Sequence, residues 1–241
     1  MKMKNVNLKT IFKTFIAVAA ISTVFAACSK DKYEPQQVAG LSVIDAFPDT
    51  MSLDFYIDQT RVNNKRGLKF NDKIDYLNLF PGSRTLSIAK RDGRNALAHE
   101  RFNMAPGVGY SLFILDTVKT NEKRFLRTED DLSAPAADKA KVRFINLYNA
   151  MTSAVGAGLE LGIEGKDTDL FTEKAFYEYT DFTAVDPGES ITFNIKQGGV
   201  VKTTLPNVKI ERGKIYTIYA KGNSAATIDS LKLGAAIYTH K

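Results

Sequence analysis

The sequence predicts an all-β protein, two tandem β-sandwich domains behind an N-terminal secretory segment. Three observations point there. Apolar or alternating segments of about 5–8 residues recur between Leu41 and Ala220, separated by turn residues, which is the strand signal. A shift of 106 residues lays a long series of these segments on one another. The opening residues follow a different plan, basic, then apolar, then small.

The internal repeat is the strongest of the three. Leu53–Asp58 (LDFYID) falls on Leu159–Glu164 (LELGIE), Phe70 on Phe176, Asp75 on Asp181, and Tyr76 on Phe182. Pro81 and Gly82 fall on Pro187 and Gly188, and Gly107 and Tyr110 on Gly213 and Tyr216. Upstream, Leu41–Phe47 matches Val142–Tyr148 at a shift of 101, so the second copy holds a five-residue insertion, placed in the small-residue stretch 152–158. After each Pro-Gly, the apolar sets Leu86/Ile88 and Ile191/Phe193/Ile195 differ in phase by one residue. A bulge in one copy would absorb that difference.

Copy one offers strands near 41–47, 53–58, 73–79, 84–90, 96–104 and 109–117. Copy two repeats them near 141–148, 159–164, 178–185, 190–196, 200–210 and 214–220. Asp92-Gly93 and Gly198-Gly199 supply the positive φ angles of tight hairpins. A last strand is expected within 229–239, with 124–127 as its counterpart, and Thr128–Asp138 forms an acidic, Ala/Pro-rich connector. Six or seven strands in roughly 100 residues is the size of an immunoglobulin-like or transthyretin-like sandwich. The expected organisation is a signal peptide at 1–27, a tether at 28–37, and sandwich repeats at 38–134 and 135–241.

The N-terminal segment carries Lys2, Lys4, Lys9 and Lys13 and no acidic residue before Asp31. Thr14–Ala27 is uncharged and mostly apolar, shorter than the roughly 20 residues of a membrane-spanning helix. Cys28 follows it and is the sole cysteine, so no disulfide can form within the chain. Phe25-Ala26-Ala27-Cys28 resembles the lipobox of bacterial lipoproteins, which implies a lipidated Cys28 as the first mature residue. Ser29–Gln37 is then a polar tether. Lys30-Asp31 loosely resembles the charged export signal of Bacteroidetes-type surface lipoproteins. Without its first 27 residues the chain keeps 29 of 33 basic side chains against 27 acidic ones, about +2, so nothing argues for nucleic acid.

Lys141–Leu147 (KVRFINL), the Pro-Gly turn that follows, the Gly213-to-Thr217 strand and the connector EDDLSAPAADKAKVRFINL together resemble the domain-of-unknown-function family 4397. The resemblance covers about 40–241 and is best in copy two. It implies bacterial lipoproteins or surface proteins with tandem β-sandwich repeats, and no catalytic residues to carry over. Copy one departs at its opening, with Ser42–Asp45 (SVID) where Arg and Asn are expected.

Catalytic chemistry finds little to use. His99 and His240 are the only histidines. His99 aligns with the apolar Leu205, which suggests partial burial, and His240 is expected to fray at the terminus. Strand spacing places Asp54/Asp58 and Glu160/Glu164 on exposed faces. Asp167 and Asp169 lack the rest of a calcium loop. No catalytic residue, metal site or cofactor is therefore expected. Tyr177 and Tyr179, in AFYEY where copy one has Asn71 and Lys73, are the candidate ligand-binding residues, projecting from one face of an extended strand. Core packing or contact with the first domain is their alternative use. The expected function is a non-enzymatic, lipid-anchored envelope protein of the outer membrane, with surface display as one option, serving as an interaction or scaffold module. The alternative is a carbohydrate-binding accessory of a polysaccharide-uptake system. Expected partners are the membrane, through Cys28, and an envelope protein or glycan.

Overall fold

The structure is a computed structural model that describes residues 37–115, 125–150 and 158–240. The signal segment, Cys28, most of the tether and residues 152–157 of the insertion lie outside the described residues.

The first sandwich has one sheet of β1 (Ala39–Asp45), β4 (Lys73–Leu79), β7 (Gly109–Ile114) and β8 (Phe125–Asp130), in the order β4-β1-β7-β8. Its second sheet holds β2 (Leu53–Ile57), β3 (Thr60–Arg61), β5 (Gly82–Lys90) and β6 (Ala96–Met104), in the order β3-β2-β5-β6. The second sandwich repeats this plan. β9 (Ala140–Asn146), β12 (Thr183–Val185), β15 (Ile215–Lys221) and β16 (Gly234–His240) order as β12-β9-β15-β16. β10 (Leu159–Ile163), β11 (Phe171–Lys174), β13 (Gly188–Gln197) and β14 (Val200–Ile210) order as β11-β10-β13-β14. β1 runs parallel to β7, and β9 to β15; the other pairs are antiparallel.

Those parallel central strands are covered on both faces, which is why they read as almost continuous apolar runs. In β7, Tyr110, Leu112 and Ile114 enter the first core with Leu41, Phe55 and Leu86, while Phe113 faces the other way. The second core gathers Phe144, Leu161, Phe193 and Ile218. The repeated Gly-x-x-Tyr has a local purpose: the Tyr110 hydroxyl accepts from Ala105 N at 3.1 Å, and Tyr216 accepts from Glu211 N at 2.9 Å. Each tyrosine thus ties down the turn that precedes its own strand.

Several expectations need correction. The connector is shorter than 128–138, because Thr128, Glu129 and Asp130 complete β8. Residues 229–231 form a 3₁₀ turn, and the last strand runs through His240. The short strands β3 and β11 escaped the periodicity. Only 183–185 of the segment 178–185 is strand, since residues 175–178 turn. The slip between copies is present. β13 against β14 shifts register around Ile191, whereas β5 against β6 runs unbroken from Gly82 to Ile88.

The two sandwiches stack through their β1-type and β9-type sheets, giving four layers. Ile44, Phe113 and Leu126 meet Ile145, Leu147 and Tyr219 in a third apolar cluster, with Phe113 edge-on to Tyr219.

Candidate functional site

The chemistry-bearing side chains that the fold brings together lie in the other half of this seam. β8 ends on Asp130 and β16 ends on His240. The ladders Gly109↔Asp130 and Ile215↔His240 make these equivalent positions of the two copies. Arg143, from the middle of β9, is among the largest fully buried side chains of the protein. It places Nη2 2.6 Å from Asp130 Oδ1, across the seam. Its Nε donates to Thr217 Oγ1 at 2.8 Å and its Nη1 to the Glu129 carbonyl at 3.1 Å. The guanidinium carbon also lies 4.6 Å from the Phe182 ring centre, a cation–π arrangement.

Asp130 collects further donors. Tyr76 Oη donates to its Oδ2 at 2.5 Å and Ser111 Oγ at 2.7 Å. His240 joins the network through both nitrogens, with Nδ1 2.7 Å from Tyr76 Oη and Nε2 2.8 Å from Thr217 Oγ1. Tyr76 has one hydroxyl proton and gives it to Asp130, so His240 must carry its proton on Nδ1 and donate it to Tyr76. Nε2 then accepts from Thr217, whose oxygen receives Arg143 Nε–H. The bonds close into a ring, Arg143 to Thr217 to His240 to Tyr76 to Asp130 and back to Arg143.

This ring requires a neutral imidazole. Burial lowers the His240 pKa to about 3; Asp130 works in the opposite direction, while Arg143 and Lys73 reinforce the fall. Burial raises Tyr76, and the Asp130 charge and hydrogen bond raise it further, so its phenol stays protonated. Every buried side-chain polar atom among the described residues has a partner. A network satisfied in this way fixes one arrangement of the two sandwiches. The Arg143, Asp130 and His240 side chains are all buried within it.

Tyr177 and Tyr179 do not lie on an extended strand. Tyr177 sits in a turn at φ 77°, and its copy-one counterpart Asn71 sits at φ 71° in the same turn. Their amides make equivalent bonds, Tyr177 N to Asn146 O and Asn71 N to Asp45 O. Asparagine tolerates this left-handed backbone, whereas a tyrosine there is an outlier held by its surroundings. Its hydroxyl crosses the seam and donates to the Phe125 carbonyl. Burial, aided by the nearby Glu100 and Tyr179, pushes its pKa up to about 12. Tyr179 is 44% exposed and, with Phe176 at 36%, faces solvent beside this turn. Phe176 lies outside the second core.

His240 is the residue that sequence reasoning missed, since it is buried in the seam rather than frayed. The signal was there: aligning the two last strands sets it on Asp130, a charged residue facing an ionisable one. His99 lies exposed on β6 and is not partly buried. Asp54 is fully buried instead of exposed, held by Arg91 Nη1 at 2.7 Å and Arg61 Nη1 at 3.2 Å. Burial alone would raise its pKa, but the Asp92 amide and the two arginines outweigh it and hold the carboxyl low. Among the described residues no group of three or more His, Cys, Asp or Glu side chains could hold a metal ion.

Fold and seam together define an all-β protein of two sandwiches with a buried polar clasp. Residues 39–156 match the family described as Domain of unknown function (DUF4397). The match covers the first sandwich and the opening of the second, not the second copy best. No curated protein matches the chain. Among solved structures, the C-terminal domain of AlgF from P. aeruginosa aligns with a TM-score of 0.32 at 20% identity, over 43% of this chain and 99% of that one. A streptococcal virulence factor, described by its alpha-glucan binding, aligns with a TM-score of 0.26 at 10% identity, over 84% and 97%. CBMbc (family CBM26) from Eubacterium rectale Amy13K, in complex with maltoheptaose, aligns with a TM-score of 0.25 at 10% identity, over 83% and 96%. Likenesses this loose carry no argument about what the chain binds.

Proposed function

We propose that the protein is a non-enzymatic, lipid-anchored envelope module, a double sandwich attached to the outer membrane through Cys28 and used for interaction or as a scaffold. The observation that supports it best is the fate of its reactive side chains. Asp130, Arg143, His240 and Tyr76 are drawn together and bonded within one buried network that joins the sandwiches. The anchor rests on the basic, apolar and small-residue order of residues 1–27 and on Cys28. Radioactive palmitate labelling with membrane fractionation tests it. Label and membrane retention are expected in the wild type and lost in Cys28→Ser; label retained by the variant would overturn the assignment.

A second reading, glycan binding, has one observation in its favour. Phe176 and Tyr179 both face solvent, next to a turn whose strained Tyr177 is pinned from below. Flat, exposed aromatic rings can stack on sugars. Saturable binding on a glycan array, lost in Tyr179→Ala, would select this reading over the scaffold.

A further inference from the structure

The two copies carry opposite chemistry at the end where β1 and β9 begin. Ala39 pairs with Leu79 and Ala140 with Val185, so Val38 and Phe80 occupy the places that Lys139 and Asp186 take in the second sandwich. Lys139 and Asp186 form a solvated ion pair, Nζ to Oδ1 at 2.6 Å. Val38 and Phe80 are exposed and apolar, and Phe80, at 66%, is the most exposed large hydrophobic residue of those described. Leu132, also exposed, lies at the same end over Gly109, where a Cβ would stand 2.9 Å from its Cδ1. The Phe80 turn is fixed from behind, since its carbonyl accepts from Arg84 Nε at 3.0 Å and Nη2 at 2.9 Å. The ring is thus held outward by a braced turn, and the first core packs without it.

This is also the end at which the chain arrives from Cys28. Gln37 and Val38 lead directly into β1, and the nine residues between Cys28 and Val38 can span at most about 30 Å. We propose that Val38, Phe80 and Leu132 form a membrane-contact tip that rests on the lipid surface holding the anchor. The inference depends on the lipid-anchor reading. An anchored domain keeps its tip at high effective concentration at the bilayer, so a small apolar patch is enough to orient it. The second sandwich, one domain removed from the tether, keeps a charged pair there instead. An orientation of this kind points Phe176 and Tyr179, beside the far end of β9, away from the membrane.

The chain contains no tryptophan, so Phe80→Trp in the full-length protein provides a single indole at the tip. The lipoprotein, purified from membranes, is reconstituted into phosphatidylethanolamine/phosphatidylglycerol vesicles with and without brominated acyl chains. Emission from Trp at position 80 should be blue-shifted and fall at least twofold with brominated lipid, while Leu97→Trp, at the far end of the β5–β6 hairpin, is unaffected. Equal emission in both vesicles, with acyl chains on Cys28 confirmed by mass spectrometry, overturns the tip and leaves the anchor standing. A blue-shifted but unquenched indole in a protein of doubled mass would also overturn it, assigning the patch to a second copy. If Cys28 proves unmodified, the anchor reading fails instead. The same Phe80→Trp chain, held on nickel-chelating lipid by an N-terminal histidine tag, then decides the tip by the same quenching.

Discussion

Position for position, the first sandwich brings Ser42, Tyr76, Ser111 and Asp130 to the seam, and the second brings Arg143, Phe182, Thr217 and His240. Inside the two cores the copies keep like chemistry, as at Leu53 and Leu159 or Tyr110 and Tyr216. A duplicated sheet that stacks on its own copy meets itself, and identical charges would then face one another. An arginine at both 42 and 143 would place two cations in one buried layer. Ser42 avoids this: it is fully buried, with its hydroxyl donating to the Ile74 carbonyl at 3.0 Å. The departure of copy one from the expected Arg is therefore what allows copy two to keep its own. The seam teaches that divergence here made a pair of unlike surfaces out of two like ones.

The largest way to break that complementarity is to remove one charge. Arg143→Met leaves Asp130 buried without its cation and should cost about 3–5 kcal/mol, read from urea unfolding. The double variant Arg143→Met/Asp130→Leu should recover part of the loss, because it removes the unpaired charge while leaving Tyr76, Ser111 and the Glu129 carbonyl each short of a partner. A double variant as unstable as the single one would show that the clasp is not what joins the sheets.

A second comparison concerns protons. Asp45 and Asn146 are equivalent and accept the same bond, from Phe47 N and Tyr148 N, each at 3.0 Å. Burial pushes Asp45 up to about 7, opposed by the Phe47 amide and aided by Asp72 and Asp49. Between about pH 4 and 7 the folded chain thus holds a proton at Asp45 that the unfolded chain has lost, so this term weakens as pH rises. His240 does the reverse. Its folded pKa of about 3 lies below the ordinary 6.5, so the unfolded chain binds the extra proton and stability falls as pH drops below 6.5. The two slopes oppose each other, and the wild type should be nearly level between pH 4.5 and 6.5. Asp45→Asn, which copies the second sandwich into the first, should lose about 2–3 kcal/mol over that interval as pH falls, at about 1.4 kcal/mol per unit. His240→Gln should gain a similar amount. The slope of chemical-denaturation stability against pH is the readout, and parallel slopes in the two variants would sink the account.

The repeat, the sandwich class and most strands were legible because they depend on period and turn residues, which are local. Leu53, Leu86 and Ile218 alternate as buried strand residues must. The seam was not legible, because outward polar positions such as Ser111, Thr217 and Asp130 look like solvated faces until a second sheet covers them. His240 and Asp130 stand at strand ends, where the pattern is weakest. Tyr177 was misplaced for a related reason. Its left-handed backbone is specified by the turn it shares with Asn71, and tyrosine carries no signal for that conformation.

Tyr177 provides the next smaller test. Tyr177→Phe keeps the ring in the seam and removes the hydroxyl with its bond to the Phe125 carbonyl, so a loss of about 0.5–1.5 kcal/mol is expected in thermal or urea unfolding.

Tyr179 should show the smallest effect, and that contrast separates neighbours two residues apart. Its ring is exposed and its backbone bridges Ile145, so Tyr179→Ala removes side-chain surface that water already reaches. Stability should change by no more than about 0.5 kcal/mol. Any loss of glycan or partner binding in this variant would then belong to the missing ring, because the fold is intact. In Tyr177→Phe the order reverses, with stability falling and binding retained. If Tyr179→Ala instead destabilises as much as Tyr177→Phe, both tyrosines serve the seam, and the solvent-facing end of the second sandwich has no reader at this turn.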